Sequence, residues 1–285
     1  MAPSKGREEQ CTACEELGYA GAHHMPPTTS ERAAIEFVDV SYVAPGGQEV
    51  LSRLHLSARG GEILVLLGRS GSGKTTALKL VNRLLLPSAG EVRVSGVANS
   101  EGDVIRLRRS IGYVIQEVGL FPHFTVERNI GLVPTIEGWS GERIRHRISE
   151  LLQLVGLDAE LALRYPHQLS GGQRQRVGVA RALAADPGIL LMDEPFGALD
   201  PLTRAELQQE FLALQQRLRK TVVFVTHDLR EALRLGSRIA LLEAGRLVTV
   251  LAPRDFLRSN DPLVSAYVRA FGDGPEWPGN NRGTE

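Results

Sequence analysis

From Ile35 the chain alternates apolar and polar positions, "IEFVDVSYV", the two-residue period of a strand with one face buried. A second such run, "EVLSRLHLSAR", follows the "PGG" turn at 45–47, so the two read as an antiparallel pair. "GEILVLLG" differs: its apolar run is unbroken, as in a strand covered on both faces, and it feeds into a glycine-rich loop and a helix expected from Lys74 to Leu86. "GEVRVSG" at 90–96 and "SIGYVIQ" at 110–116 read as further strands.

Residues 120–166 lose the strand pattern and show helical spacing, as in "GERIRHRISELLQLVGL", which predicts a helical insertion. After a Ser-Gly-Gly turn at 170–172 strands return in "GILLMDE" (188–194), "TVVFVTHD" (221–228) and "SRIALLEAGRLV" (237–248), with helices near 202–218 and 229–235. Strands alternating with helices predict an α/β fold with a mostly parallel sheet, an N-terminal antiparallel β subdomain and a helical insertion subdomain. The expected division is a flexible extension over 1–32, one domain over 33–271 and a flexible tail over 272–285. Within the domain, 33–116 and 167–250 form the α/β core, 117–166 the helical subdomain and 251–271 a C-terminal helical segment.

At 285 residues there is room for one large α/β domain with a small appendage. Lys+Arg and Asp+Glu are 33 each, so no overall field draws the chain to nucleic acid or anionic lipid. The only two cysteines, Cys11 and Cys14, form one CxxC near His23 and His24, which lacks the second half of a zinc pattern; a reducing cytoplasm is the expectation. No apolar run approaches the roughly 20 residues of a membrane span, and the N-terminus lacks a signal-peptide pattern, so membrane business is expected to go through partners.

"GRSGSGKTT" at 68–76 matches G-x-x-x-x-G-K-[ST] between a buried strand and a helix, which predicts a P-loop NTPase. Gly68, Arg69, Ser70, Gly71, Ser72, Gly73, Lys74, Thr75 and Thr76 then wrap a triphosphate. Lys74 reaches the β- and γ-phosphates, and the Thr75 hydroxyl coordinates Mg²⁺. "ILLMDEP" at 189–195 supplies the complement: Asp193 for the Mg²⁺ shell and Glu194 as general base for the attacking water. Each part has a plainer alternative, an incidental glycine turn or a solvated acidic strand end.

A second glycine turn, in "LSGGQRQRVGVARAL" at 169–183, is redundant for the same face of one nucleotide. It makes sense if it covers a nucleotide held by a second copy. A helix start carries roughly +0.5 of a charge, worth ~0.3–2 kcal/mol toward an anion. A hydrogen bond to a charged group adds ~1.5–3 kcal/mol. Over two symmetric sites this makes a clamp that exists only while the γ-phosphate does.

This turn followed by "ILLMDEPFGALD" resembles the ATP-binding-cassette ATPases, and the match runs from about Ile35 to Val248. The resemblance implies an ATP-dependent head-to-tail dimer. It makes Tyr42 the aromatic that stacks on adenine and Gln116 the loop glutamine that touches Mg²⁺ and reports to the transporter. Ser170, Gly171, Gly172 and Gln173 become the turn facing the partner's ATP, with Asp200 in the cross-subunit loop and His227 at the γ-phosphate. Lys74, Gln116, Glu194 and His227 are then the catalytic set. Taken alone, Tyr42 has a plainer alternative as a half-buried strand aromatic. Arg69 departs from the small residue or proline usual there and is expected to face outward.

"IGYVIQEVGLFPHFTVERNI", with "VP" at 133–134 and "GW" at 138–139, resembles the ATPase subunits of importers for quaternary amines such as glycine betaine, choline and carnitine. That implies integral membrane permease subunits as partners, an extracytoplasmic solute-binding protein acting indirectly, and a place on the cytoplasmic face of the cell membrane. Phe121 and Phe124 either receive a permease helix or pack the insertion's own core. Longer members of that group carry CBS domains, which the residues up to Glu285 do not show, so sensing by them is in doubt. Import of an amino acid or polyamine is the alternative. A cassette acting on DNA or ribosomes is disfavoured, since neither a coiled-coil insertion nor a tandem cassette is present.

Overall fold

The computed structural model describes residues 33–116 and 118–272. The extension with Cys11, Cys14, His23 and His24, and the tail beyond Gly272, lie outside the described residues.

In chain order, β1 (Ala33–Val43), β2 (Glu49–Arg59), β3 (Ile63–Leu67), α1 (Lys74–Val81), β4 (Ala89–Val94), β5 (Val97–Ala98), α2 (Val104–Arg109) and β6 (Ile111–Val114) precede the helical stretch. That stretch holds α3 (Val126–Ile136), α4 (Gly141–Leu154) and two 3-10 turns at Ala159–Leu163 and Pro166–Gln168. Next come α5 (Gly171–Leu183), β7 (Ile189–Asp193), α6 (Pro201–Leu218), β8 (Thr221–Thr226) and α7 (Leu229–Leu235). The strands β9 (Arg238–Glu243) and β10 (Arg246–Leu251) and the helices α8 (Pro253–Leu257) and α9 (Pro262–Gly272) close the described chain.

Two sheets form. One is antiparallel, β2-β1-β4-β5; the other is six-stranded, β10-β9-β3-β8-β7-β6, parallel throughout except for β10. The unbroken apolar runs follow from burial on both faces, because successive strand residues point to opposite sides. Ile63, Val65 and Leu67 join one core with Val177 of α5, Phe211 of α6 and Leu229 of α7. Leu64 and Leu66 join the other, with Leu78 of α1 and Ile35 and Leu51 of the antiparallel sheet.

Two expectations are corrected. The helix expected to reach Leu86 ends at Val81: Arg83 is left-handed (φ 50°), and Leu84 N–H turns back to the Lys79 carbonyl at 2.8 Å. The run 237–248 is a hairpin, reversed at Ala244-Gly245, where both φ angles are positive (47° and 78°), the geometry a two-residue hairpin turn needs.

Candidate functional site

The loops after β3, β7 and β8 converge, since these strands are parallel neighbours whose C-terminal ends lie on one edge of the sheet. The Gly68–Gly73 loop is tightly seated. A side chain at Gly68 would strike the Leu242 carbonyl oxygen and stand 2.5 Å from Ser72 Oγ. Gly73, at φ 96°, caps α1 without any side-chain hydrogen bond, so the helix's first N–H groups await another acceptor. Lys74 folds back over the loop and donates to the carbonyls of Gly68 (2.8 Å) and Arg69 (2.7 Å) and to Ser72 Oγ (3.4 Å). It is only 5% exposed. Burial lowers its pKa, opposed by the charges of Glu194, Asp193 and Glu243. Arg69, Ser70 and Gly71 are exposed, Ser72 is buried, and Thr75 and Thr76 are half-buried.

Thr75 Oγ1 donates to Asp193 Oδ1 at 3.0 Å, which joins the start of α1 to the end of β7. Burial raises the Asp193 pKa; the Thr75 hydrogen bond pulls it down and the Glu194 charge pushes it up. Glu194 leaves the strand in a left-handed conformation, φ 44°, with its N–H donating to Val225 O at 3.0 Å. Its carboxylate lies 3.1 Å, Oε2 to Nδ1, from His227, which follows directly on β8. Registry explains the meeting: Asp193 pairs with Val225, so the residues just beyond the two strands stand side by side.

Two site neighbours escaped sequence reasoning. Tyr113 of β6 pairs with Leu191, which puts it on the same face as Asp193. Its phenol pKa is pushed up first by burial, then by the charge and hydrogen bond of Asp193. Asn129, fully buried on α3, organises the 121–125 loop. Its Oδ1 accepts from Phe121 N–H (2.8 Å), and its Nδ2 donates to the carbonyls of Phe121, Phe124 and Thr125 (3.2, 3.1 and 3.0 Å). A polar residue on the apolar stripe of that helix was its sequence signal.

The second glycine turn has its own internal order. Ser170 Oγ accepts from Gln173 N–H (3.2 Å) and Gln173 Oε1 accepts from Ser170 N–H (2.9 Å), a capping box readable as S-x-x-Q. This leaves the N–H groups of Gly171 and Gly172 as the first-turn donors of α5. Among the described residues no hydrogen bond or ion pair joins 170–173 to the 68–76 loop. Asp200 caps α6 by accepting from Thr203 N–H (3.0 Å), a bond that also lowers its pKa. Gln116 is exposed just past β6, and Tyr42 is half-buried, one side resting on the second core.

A groove of about 290 Å³ runs between β6 and the helical stretch, lined by Arg108, Tyr113, Phe121, Leu132, Val133 and Arg181 among others. Phe121 is 40% exposed. Phe124 is half-buried, with its ring 5.2 Å from that of Phe121 and the Arg128 guanidinium 4.3 Å from its centre. Phe121 thus faces the groove, while Phe124 packs within its own loop. Among the described residues no helix is long and apolar enough to cross a membrane.

The ABC transporter family model matches residues 51–197. The chain is 51% identical over 231 residues to the choline transport ATP-binding protein OpuBA of Bacillus subtilis, covering 81% of this chain and 61% of that protein. It is 53% identical over 239 residues to the glycine betaine uptake system ATP-binding protein YehX of Escherichia coli, covering 83% and 76%. The chain thus spans about three fifths of the length of relatives such as OpuBA. Among solved structures it is similar to cbiO1 from Clostridium perfringens, part of the ABC transporter complex cbiONQ (TM-score 0.75, 25% identity, 84% of this chain and 96% of that one). It is also similar to the ATP-binding cassette MJ0796, seen as a dimer with ADP and Pi (TM-score 0.70, 35% identity, 77% and 99%). The chain belongs to the ABC transporter family.

Proposed function

We propose that this chain is the ATP-hydrolysing subunit of a membrane importer for a quaternary-amine osmoprotectant such as glycine betaine, choline or carnitine. The observation that carries the ATPase reading is the grouping of Lys74, Thr75–Asp193 and Glu194–His227 at one sheet edge. The solute class rests on relatives named for choline and glycine betaine transport; an amino acid or polyamine is the alternative.

In this reading the 68–76 backbone and Lys74 hold the phosphates, with Tyr42 under the adenine. Glu194 takes a proton from the attacking water as the water oxygen bonds to the γ-phosphorus; the β–γ bridge breaks, leaving ADP and phosphate. His227 and Gln116 complete the set. Thr75 Oγ1, Asp193 and Gln116 supply the hard oxygens that suit Mg²⁺. Among the described residues no cluster of three or more His, Cys, Asp or Glu side chains forms a metal site, which fits an ion that arrives with its nucleotide. Such an ion would neutralise charge building on the phosphate oxygens.

A second copy supplies Ser170, Gly171, Gly172, Gln173 and Asp200 across the nucleotide. In the same reading the groove beside Phe121 receives a helix of a permease subunit, and the chain works on the cytoplasmic face of the membrane. Residues 33–116 and 167–250 then act as the catalytic core, 117–166 as the subdomain that meets the permease and 251–271 as the C-terminal helical segment. The test is Mg-ATP hydrolysis by the purified chain, followed by growth at high osmolarity with each candidate solute in cells lacking the gene. No phosphate release overturns the first half; restored growth with amino acids only overturns the second.

A further inference from the structure

Val118 stands at φ 56°, a conformation that β-branched residues seldom take, two positions after Gln116. One helix face holds it there. Arg181 Nη2 donates to Val118 O at 2.6 Å and Nη1 donates to Gly119 O at 2.7 Å. One turn earlier on the same face of α5, a Cβ at Gly178 would lie 2.5 Å from Val118 Cγ1. Glycine weakens a helix interior, so its presence at 178 is explained by this close approach. Val118 N–H donates to Ile115 O at 3.0 Å, closing a turn that contains Gln116. The Ile115 side chain occupies the space a Cβ at Gly119 would need.

The turn bearing Gln116 is therefore fastened at its far end to α5, the helix that opens with Ser170–Gln173. Arg181 is half-buried, desolvation lowers its pKa, and among the described residues it makes no ion pair. Its bonds go to two successive backbone carbonyls, so it fixes where the main chain runs. Arg181 also lines the groove beside Phe121. We propose that Arg181 is a positioning residue for Gln116, holding the turn that bears the glutamine against the helix that opens with Ser170–Gln173. The inference rests on the ATPase reading above and deepens it.

The test is a double-mutant cycle on the full chain, measuring ATP hydrolysis, the Mg²⁺ concentration for half-maximal rate and melting temperature. Arg181→Gln is expected to lower kcat about 10- to 100-fold while the KM for ATP stays within about twofold. It is also expected to raise the Mg²⁺ requirement. In a Gln116→Ala background the same change is expected to add less than about twofold, because both act through one group. Gly178→Ala, which pushes on the Val118 side chain from the same helix face, is expected to behave likewise, and it carries the cycle should Arg181→Gln not fold. Equal losses in both backgrounds overturn the proposal, as does a Gln116→Ala chain that hydrolyses at the wild-type rate. A wild-type chain without hydrolysis overturns the parent reading as well, which separates the two failures.

Discussion

His227 Nδ1 and Glu194 Oε2 lie 3.1 Å apart, with the imidazole 58% exposed and the carboxylate 19% exposed beneath it. An ionised carboxylate can only accept, so Nδ1 carries the hydrogen, and a neutral ring then offers only an acceptor at Nε2. A γ-phosphate needs a donor. In the proposed reading, a nucleotide that engages His227 draws it away from Glu194 and so frees the base. His227→Ala is expected to lower kcat about tenfold or more with little change in ATP affinity. Unchanged phosphate release in a steady-state assay would remove His227 from the site.

Glu194→Gln keeps shape and hydrogen bonding but cannot accept the proton. Hydrolysis is expected to fall by about 100-fold or more while ATP binding persists, so the closed dimer accumulates. Gel filtration with ATP and Mg²⁺ checks this, the expected result being a dimer peak that wild type lacks. A monomer under those conditions rejects the base assignment.

Glu231, at the start of α7, is buried; it accepts from Thr226 Oγ1 at 2.6 Å and from Gln208 Nε2 at 3.0 Å. Burial raises its pKa above the ordinary 4.5, with the hydrogen bonds opposing. For an acid raised in this way the folded state binds more protons than the unfolded one, so stability falls as pH climbs from the unfolded value through the folded one. Glu231→Gln, which removes the charge and keeps the amide-compatible contacts, is expected to gain melting temperature relative to wild type at pH 8. That advantage should shrink steadily toward pH 4.5. Thermal melts across this range are the check, and a pH-independent difference would contradict it.

The candidate site was legible where contacts are local. Gly68 to Thr76, Asp193 with Glu194, and Ser170 with Gln173 each lie in one short stretch, and the double burial of β3 and β7 is written as unbroken apolar runs. What stayed hidden depends on distant partners. The end of α1 is set by Asn99, whose Nδ2 donates to the carbonyls of Leu80 (2.6 Å) and Val81 (3.2 Å), and by Arg108, whose Nη2 donates to Arg83 O at 2.7 Å. Nothing near residue 82 announces either. Tyr113 reaches Asp193 only through the β6–β7 register, and Arg181 meets Val118 across 63 positions.

Lys74 and Ser170 share no contact in one chain, yet a head-to-tail dimer needs both at each nucleotide. Lys74→Ala is expected to lose ATP binding and, with it, the nucleotide-dependent stabilisation, about 2.7 kcal/mol at 100 times Kd, that a thermal melt with ATP reads. Ser170→Arg keeps the 68–76 loop intact, so it should still bind ATP yet fail to hydrolyse it; loss of the N-cap costs about 0.5–2 kcal/mol of stability besides. Mixed together, the two inactive chains form heterodimers in which Lys74 of one chain faces Ser170 of the other, giving one intact composite site. Phosphate release should therefore reappear on mixing and follow the heterodimer fraction. If each chain closed its own site, no mixture would be active, because every chain would still carry one lesion.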